Sequence, residues 1–196
     1  MGMDISGINP KLRGEEPTIN WDNCTEEERD AYWEKRNKFQ SENPGVYFRA
    51  NIWSWRPIAM VIVYVNEMYD LKLDEDFLRK MHYNDGGGLK TQEECDKLAD
   101  FMESFINTNF EGWEYIGMPT SMLYYKVVND DGTIREQHIM GEEVEQLLDK
   151  YGVMGFIKDG EIVTEDRIYH TSHSTGIEHL REFIAFLREC GGFEIW

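Results

Sequence analysis

The stretch Tyr47-Phe-Arg-Ala-Asn-Ile-Trp-Ser-Trp-Arg-Pro57 decides where the core of this 196-residue chain begins. It combines four aromatic residues with two arginines, and its proline leads directly into an apolar run over residues 58–65. Proline suits the first turn of a helix, because the N–H that it lacks has no helical partner there. We therefore predict a short extended piece at the start of the stretch and then a buried central helix over residues 58–71. The β-branched residues of the apolar run leave a strand as the alternative.

Two capping boxes mark helix starts on either side of this stretch. Thr25 is followed three residues later by Glu28, and Thr91 is followed by Glu94. In such a pair the threonine accepts from the N–H of the glutamate, and the glutamate carboxylate accepts from the N–H of the threonine. The first box opens a polar surface helix, and the second opens a core helix with apolar residues at helical spacing. The predicted helices cover about 25–41, 74–81, 91–106 and 175–190, and the chain ends form strands at 1–6 and 193–196.

The pattern between residues 110 and 171 changes from helical to alternating. Residues 122–128 and 134–140 flank Asn129-Asp-Asp-Gly132, which is typical of a hairpin. After a short helix over 142–151, a second hairpin is predicted to turn at Asp159-Gly160. We predict an α+β fold with a small sheet that includes both termini, packed with helices. The predicted domains are a core over 1–109 and 172–196 and a β-hairpin-rich insertion over 110–171.

Composition limits the partners of the chain. A net charge of -18 opposes binding to a phosphate backbone, so we predict no nucleic-acid partner. The longest apolar run is far shorter than the roughly 20 residues of a membrane-spanning helix, and no signal peptide opens the chain, so we predict a cytoplasmic protein without a membrane partner. Cys24, Cys95 and Cys190 show no C-x-x-C spacing, which indicates a reducing compartment and no zinc ribbon. The acidity leaves open an inhibitor that binds another protein.

The segment Asp85-Gly-Gly-Gly-Leu-Lys-Thr91 places three glycines and a lysine directly before a capped helix. Backbone N–H groups and the helix dipole at such a place can receive a phosphate or a carboxylate. The segment is not a Walker A loop, because Leu89 separates Gly88 from Lys90. The alternative is a flexible connection between helices in which the glycines supply positive φ angles.

The stretch 47–57 and the glycine segment 85–91 form one predicted cleft if the helices that follow them pack side by side. Its aromatic walls and its arginine and lysine donors suit a nucleotide or another flat anionic metabolite. The alternative is that the tryptophans anchor the core and the arginines pair locally, and the sequence leaves open which tryptophan faces a pocket. The predicted ligand-binding residues are Tyr47, Arg49, Asn51, Trp53, Trp55, Arg56, His82, Asn84, Asp85, Gly86, Gly87, Gly88, Lys90 and Thr91.

Histidine motifs offer a catalytic alternative. The segment His170-Thr-Ser-His-Ser-Thr175 contains a His-x-x-His pair for a metal, and it is similar to the motifs of two-histidine phosphoesterases, although those lie far apart on separate strands. The simpler interpretation is a polar loop in which Ser174 or Thr175 caps the last helix. His82 beside Asp85 is either an acid/base pair or a helix C-terminal cap. We predict no catalytic residue, no metal and no cofactor, and a small hydrolase remains the alternative.

Three blocks of the sequence together resemble a family of small proteins encoded by tailed bacteriophages and prophages. They are Met1-Gly-Met-Asp-Ile-Ser-Gly7, the stretch 47–57 with His82-Tyr-Asn-Asp-Gly-Gly-Gly-Leu89, and Gly191-Gly-Phe-Glu-Ile195. The resemblance implies a phage origin and action in the cytoplasm of the bacterial host, and it carries over no catalytic residues. The expected function is binding of a small anionic, nucleotide-like ligand, by which the protein sequesters a bacterial immune signal. An acidic inhibitor of a host protein is the alternative, and self-association remains open.

Overall fold

The structure is a computed structural model and describes residues 2–118 and 122–196. These residues form six helices and ten strands, which confirms the predicted α+β class. The helices are α1 (Glu26–Glu42), α2 (Ile52–Tyr69), α3 (Glu75–Lys80), α4 (Gln92–Asn109), α5 (Glu142–Tyr151) and α6 (Ile177–Leu187). The strands are β1 (Gly2–Gly7), β2 (Tyr47–Asn51), β3 (Tyr115–Gly117), β4 (Met122–Val128), β5 (Ile134–Met140), β6 (Ile157–Lys158), β7 (Glu161–Val163), β8 (Ile168–His170), β9 (Ser174–Gly176) and β10 (Phe193–Ile195). Within the described ranges, no helix has both the length and the apolar character to cross a membrane.

The chain divides into two compact units. Unit 1 is built mainly from Ala50–Asp70 and Phe101–Arg181, and unit 2 from Met3–Arg49, Leu71–Asp100 and Glu182–Trp196. This division differs from the predicted insertion over 110–171, because α2 and the second half of α4 belong to the same unit as those residues.

A cluster of aromatic rings explains why α2 and α4 group with the β-rich part of unit 1. The Phe156 ring lies 5.6 Å from the Tyr64 ring of α2 and 5.3 Å from the Phe110 ring, measured between centroids. The Phe110 ring in turn lies 5.5 Å from Phe105 of α4. Buried aromatic rings contribute strongly to core stability, so this cluster joins elements that are distant in sequence.

The sheet of unit 2 brings both chain ends together, as the sequence predicts. Its strand order is β10-β1-β2, and β10 pairs antiparallel with β1 so that Ile5 lies opposite Ile195. The Phe183 ring of α6 covers this sheet and lies 5.1 Å from the Phe48 ring of β2 and 6.2 Å from the Phe193 ring of β10. The sheet and α6 therefore share one aromatic core.

The glycine segment 86–88 runs beside β10. Gly86 donates its N–H to the Ile195 carbonyl at 2.8 Å, and the carbonyls of Gly87 and Leu89 accept from the N–H groups of Ile195 and Phe193 at 3.0 and 2.8 Å. Gly86 has a φ of 81°, and a Cβ atom at position 88 would overlap the Phe193 carbonyl oxygen. Gly88 is therefore required for the close backbone pairing with β10, a structural role that the sequence interpretation did not include, whereas the positive φ of Gly86 agrees with the alternative interpretation.

We predict that Gly88→Ala destabilises the fold by on the order of 3 kcal/mol, because the new methyl group forces the backbone away from β10. Gly176→Ala is the matched control, since a Cβ atom there meets its nearest neighbour at an ordinary 3.7 Å. Chemical denaturation of the wild type and both variants measures the difference. Equal free energies of unfolding for the two variants would contradict the close pairing.

Unit 1 contains two sheets, with strand orders β6-β3-β9 and β5-β4-β8-β7. The predicted hairpin of β4 and β5 is confirmed, with Met122 opposite Met140 at one end and Val128 opposite Ile134 at the other. One face of the four-stranded sheet packs against α5. The buried residues of that core are Leu123, Ile139, Val144, Ile157, Ile162 and Tyr169.

The second predicted hairpin is wrong, although its turn is at the expected place. The flanking strands join different sheets, because β6 pairs with β3 whereas β7 pairs with β8. The Asp159 carboxylate accepts from the N–H groups of Glu114 and Tyr115 at 3.1 and 3.0 Å, so the turn is attached to β3. The last helix also begins later than predicted, at Ile177, because Thr175 lies in β9 opposite Ile116.

Candidate ligand-binding site

Helix α2 begins six residues before the predicted start at position 58. The side chain of Asn51 accepts from the N–H groups of Trp53 and Ser54, both at 2.9 Å, and so caps the helix. Pro57 therefore lies inside the helix, in its second turn, where its ring leaves the Trp53 carbonyl without the usual i+4 donor. The predicted helix exists, but its N-terminus is set by Asn51 and not by Pro57. Asn51 accordingly serves the helix, and its predicted role as a polar contact to a ligand stays untested.

The early start of α2 separates the two tryptophans. Residues i and i+2 of a helix differ by about 200° around its axis, so Trp53 and Trp55 lie on opposite faces. Trp55 is 0% exposed, whereas Trp53 is 52% exposed. Trp55 is thus a core residue and not a pocket wall, because no part of its side chain surface is open to a ligand. Trp53 is the tryptophan that faces outward.

Trp53 forms a three-residue cluster with Arg56 and His173, all within unit 1. The Trp53 and His173 rings have centroids 4.9 Å apart at an interplanar angle of 44°. The guanidinium carbon of Arg56 lies 5.9 Å from the Trp53 ring centroid. Arg56 Nη1 lies 2.8 Å from His173 Nε2. Because a guanidinium can only donate, Nε2 is the acceptor, and the neutral ring carries its proton on Nδ1.

Backbone bonds hold His173 in this position. Its carbonyl accepts from the Met118 N–H at 2.8 Å, and its own N–H donates to Thr171 Oγ1 at 3.2 Å. Thr171 Oγ1 in turn donates to the Met118 carbonyl at 2.8 Å. The loop between β8 and β9 is therefore fixed to the end of β3. This arrangement places a buried imidazole, 5% exposed, against α2.

The two histidines of the predicted His-x-x-His motif have different neighbours. His173 packs on Trp53, whereas His170 Nδ1 lies 3.1 Å from Glu161 Oε1 in the four-stranded sheet. Among residues 2–118 and 122–196, no group of three or more His, Cys, Asp or Glu side chains could hold a metal ion. Ser174 and Thr175 belong to β9 and so do not cap the last helix.

Burial lowers the pKa of His173 below its ordinary value, and the charge of Arg56 lowers this pKa further. Both effects favour the neutral ring that accepts from Arg56. The unfolded chain therefore binds a proton more readily than the folded chain. The contribution of His173 to stability is fully present above about pH 6.5, the ordinary histidine pKa, and is lost as the pH falls through the folded-state pKa.

We expect NMR titration of the imidazole nitrogens to give a pKa for His173 below about 6.5 in the wild type. In Arg56→Ala this pKa should rise, because one positive charge is removed, but it should stay below the ordinary value because the ring remains buried. Arg181→Ala, a change at an exposed arginine of α6, is the control and should leave the pKa of His173 unchanged. A wild-type pKa at or above the ordinary value would contradict this environment.

Tyr47 and Arg49, the other predicted residues of the aromatic stretch, lie in unit 2 and both face Asp4. The Tyr47 hydroxyl donates to Asp4 Oδ1, and burial together with this bond raises the pKa of Tyr47 to about 12. Arg49 Nε lies 3.6 Å from the same oxygen. Both side chains therefore have a local carboxylate partner, as the alternative interpretation of the arginines expected for Arg49.

The predicted phosphate donors before α4 also have local acceptors. Glu94 Oε2 accepts from the N–H groups of Lys90 and Thr91 at 3.3 and 3.0 Å, so the predicted capping box is confirmed. Lys90 Nζ lies 3.1 Å from Glu194 Oε1. The adjoining cavity, of about 190 Å³, is lined by three acids, Asp74, Asp76 and Glu94, and by two bases, Lys80 and Lys90. This excess of acid weakens the case for an anion at the glycine segment.

The remaining predicted residues of unit 2 are His82, Asn84 and Asp85, which lie exposed between α3 and the glycine segment. The predicted cleft thus divides into residues of unit 1 (Asn51, Trp53, Trp55 and Arg56) and residues of unit 2 (the other ten). Of the unit 1 residues, Trp53 and Arg56 come together in an exposed cluster. Their partner His173 was missed as a site residue, because 117 positions separate it from Arg56.

A cavity of about 560 Å³ in unit 2 was also missed by the sequence interpretation. It lies between the loop 17–24 and α1, and Tyr32 forms part of its lining. The Tyr32 ring lies 5.3 Å from Trp21 and 5.2 Å from Trp33. The lining carries one acid, Glu28, and one base, Lys35, so it offers an anion no net attraction.

No protein-family model matches the chain, and neither a curated protein nor a solved structure matches it. The Trp53, Arg56 and His173 cluster is therefore the feature from which a function can be inferred.

Proposed function

We propose that the chain binds a flat anionic ligand of nucleotide type at Trp53 and Arg56, without turning it over. The observation that carries this proposal is the pairing of a half-exposed indole with a guanidinium one helical turn away. A base stacked on an aromatic side chain gains about 1–3 kcal/mol. A guanidinium supplies charge-assisted hydrogen bonds to phosphate oxygens. The two side chains thus match the two halves of a nucleotide.

His173 prepares Arg56 for this role. Its neutral ring takes one of the five guanidinium donors and holds the guanidinium beside the indole. Because a long side chain loses rotamer freedom when it binds a ligand, an arginine that is already held in place has less entropy to lose. A neutral imidazole also leaves the positive charge of Arg56 uncompensated, which favours an anion.

The local charge around α2 supports an anionic ligand even though the chain is acidic overall. The first turn of α2 contains no acidic residue, whereas the first turns of α1, α3, α4 and α5 all do. The N-terminus of a helix carries a partial positive charge. Arg56 adds a full charge near this end. The electrostatic conditions at Trp53 therefore differ from those that the net charge of -18 suggests.

The phage resemblance adds a biological setting to this proposal. In an infected bacterium, a protein that binds a nucleotide-like molecule without converting it lowers the free concentration of that molecule. If the molecule is a signal of bacterial immunity, sequestration of the signal protects the phage. Trp53 and Arg56 thus support the ligand class, and the resemblance supports the role in counter-defence.

Calorimetric titration with nucleoside phosphates and cyclic dinucleotides tests the proposed site. We expect Arg56→Ala to weaken binding of a ligand by about 10- to 100-fold, because charge-assisted hydrogen bonds are lost. Trp53→Ala should weaken it by a similar factor, and Trp53→Phe by less, because phenylalanine keeps a stacking face. Arg181→Ala, in the same unit, should leave the affinity unchanged.

Two results would count against the proposal. If Arg56→Ala and Trp53→Ala bind a nucleotide as tightly as the wild type does, the ligand lies elsewhere on the chain. If the wild type binds no member of the panel, the ligand class is wrong. Chromatography of the titrated ligand distinguishes sequestration from hydrolysis, since a sequestered ligand is recovered intact.

A further inference from the structure

The outer edge of the four-stranded sheet in unit 1 is a seven-residue strand, β5. An edge strand presents a row of backbone N–H and C=O groups that can pair with another strand. The opposite edge, β7, has three residues, which limits pairing there. The edge at β5 is therefore the longer template of the two.

Exposed apolar side chains lie at both ends of the β4 and β5 pair on one face of this sheet. Opposed residues of antiparallel strands share a face, so Met122 and Met140 lie together on the face away from α5, as do Val128 and Ile134. Met140 is 70% exposed and Ile134 is 66% exposed. These two residues stand at the two ends of β5. Between them on the same face lie the charged or ionisable residues Glu136 and His138, with Glu136 Oε2 3.8 Å from His138 Nε2.

We propose that β5 pairs antiparallel with β5 of a second copy of this chain, with the two-fold axis at Gln137. In this register Ile134 lies opposite Met140 of the second copy, and Glu136 lies opposite His138 of the second copy. Each contact occurs twice, because the interface is isologous. Apolar residues thus meet apolar residues, and an acid meets a base.

The proposed register also extends the rows of paired residues that β4 and β5 form within each copy. Lys126 of β4 lies opposite Glu136, and Tyr124 lies opposite His138. Across the joined sheets, one row therefore runs from Lys126 to Glu136 and on to the imidazole and phenol of the second copy. The Glu136 carboxylate thus lies between the Lys126 ammonium and an imidazole that can donate to it, which is favourable for cross-strand neighbours.

The two neighbouring registers that keep the two sheets in the same orientation are less favourable. A two-fold axis at Glu136 places two carboxylates opposite each other, and an axis at His138 places two imidazoles opposite each other. Like charges directly across a strand pair are destabilising. A single strand pair is a small interface, so we expect a dissociation constant on the order of micromolar or weaker.

Charge reversal at the two central positions tests this register. Glu136→Lys places an ammonium opposite His138 of the second copy, and His138→Glu places a carboxylate opposite Glu136 of the second copy. Each variant alone should dimerise at least about 10-fold more weakly than the wild type, because the first loses the contact between carboxylate and imidazole and the second places two carboxylates opposite each other. A mixture of the two variants should form a heterodimer, since both contacts are attractive between unlike copies.

Sedimentation velocity measures self-association at concentrations up to about 500 µM. Glu165→Lys, in the turn between β7 and β8, controls for the change in net charge and should leave the dimer unaffected. Circular dichroism checks that each variant is folded. The mixture of the two charge variants is informative even if one of them is less stable, because a heterodimer forms only when both variants are folded.

The proposal fails if the wild type is a monomer over this concentration range. It also fails if the charge variants dimerise as well as the wild type, or if the mixture associates no better than either variant alone. Restored association in the mixture together with weak association of each variant supports the pairing at Gln137.

Discussion

The cap that Asn51 places on α2 is the interaction on which the proposed binding surface depends. Its side-chain oxygen accepts two backbone hydrogen bonds that start the helix before Trp53, and the start of the helix fixes which face each later residue occupies. Trp55 then points into the core, and Trp53 points outward. An N-cap of this kind contributes about 0.5–2 kcal/mol, which is enough to select one helix start over another.

The second constraint is that His173 must lie against the outward face of α2. A loop held by Thr171 and Met118 carries the imidazole there, and burial keeps the imidazole neutral. The neutral ring accepts from Arg56 and so holds the only charged member of the cluster in place. The exposed indole and its neighbouring cation are thus a product of one local cap and one distant loop.

Elements set by local signals could be predicted from the sequence. The capping boxes at Thr25 and Thr91 and the hairpin turn before Thr133 depend on residues within five positions of one another. Features set by pairing across the fold could not be predicted in this way. The turn at Asp159-Gly160 looks like a hairpin, yet hydrogen bonds to Tyr115 send its strands to different sheets. Likewise, nothing in the stretch 47–57 shows that His173 will cover it.

The orientation of the two tryptophans can be measured directly by fluorine NMR. The chain has six tryptophans, and in fluorotryptophan-labelled protein the changes Trp53→Phe and Trp55→Phe assign the two resonances of interest. The Trp53 resonance should shift between H₂O and D₂O, because the indole contacts solvent, and the Trp55 resonance should not. A solvent shift at Trp55 without one at Trp53 would mean that α2 is rotated, and it would contradict the helix start at Asn51 and the binding surface that depends on it.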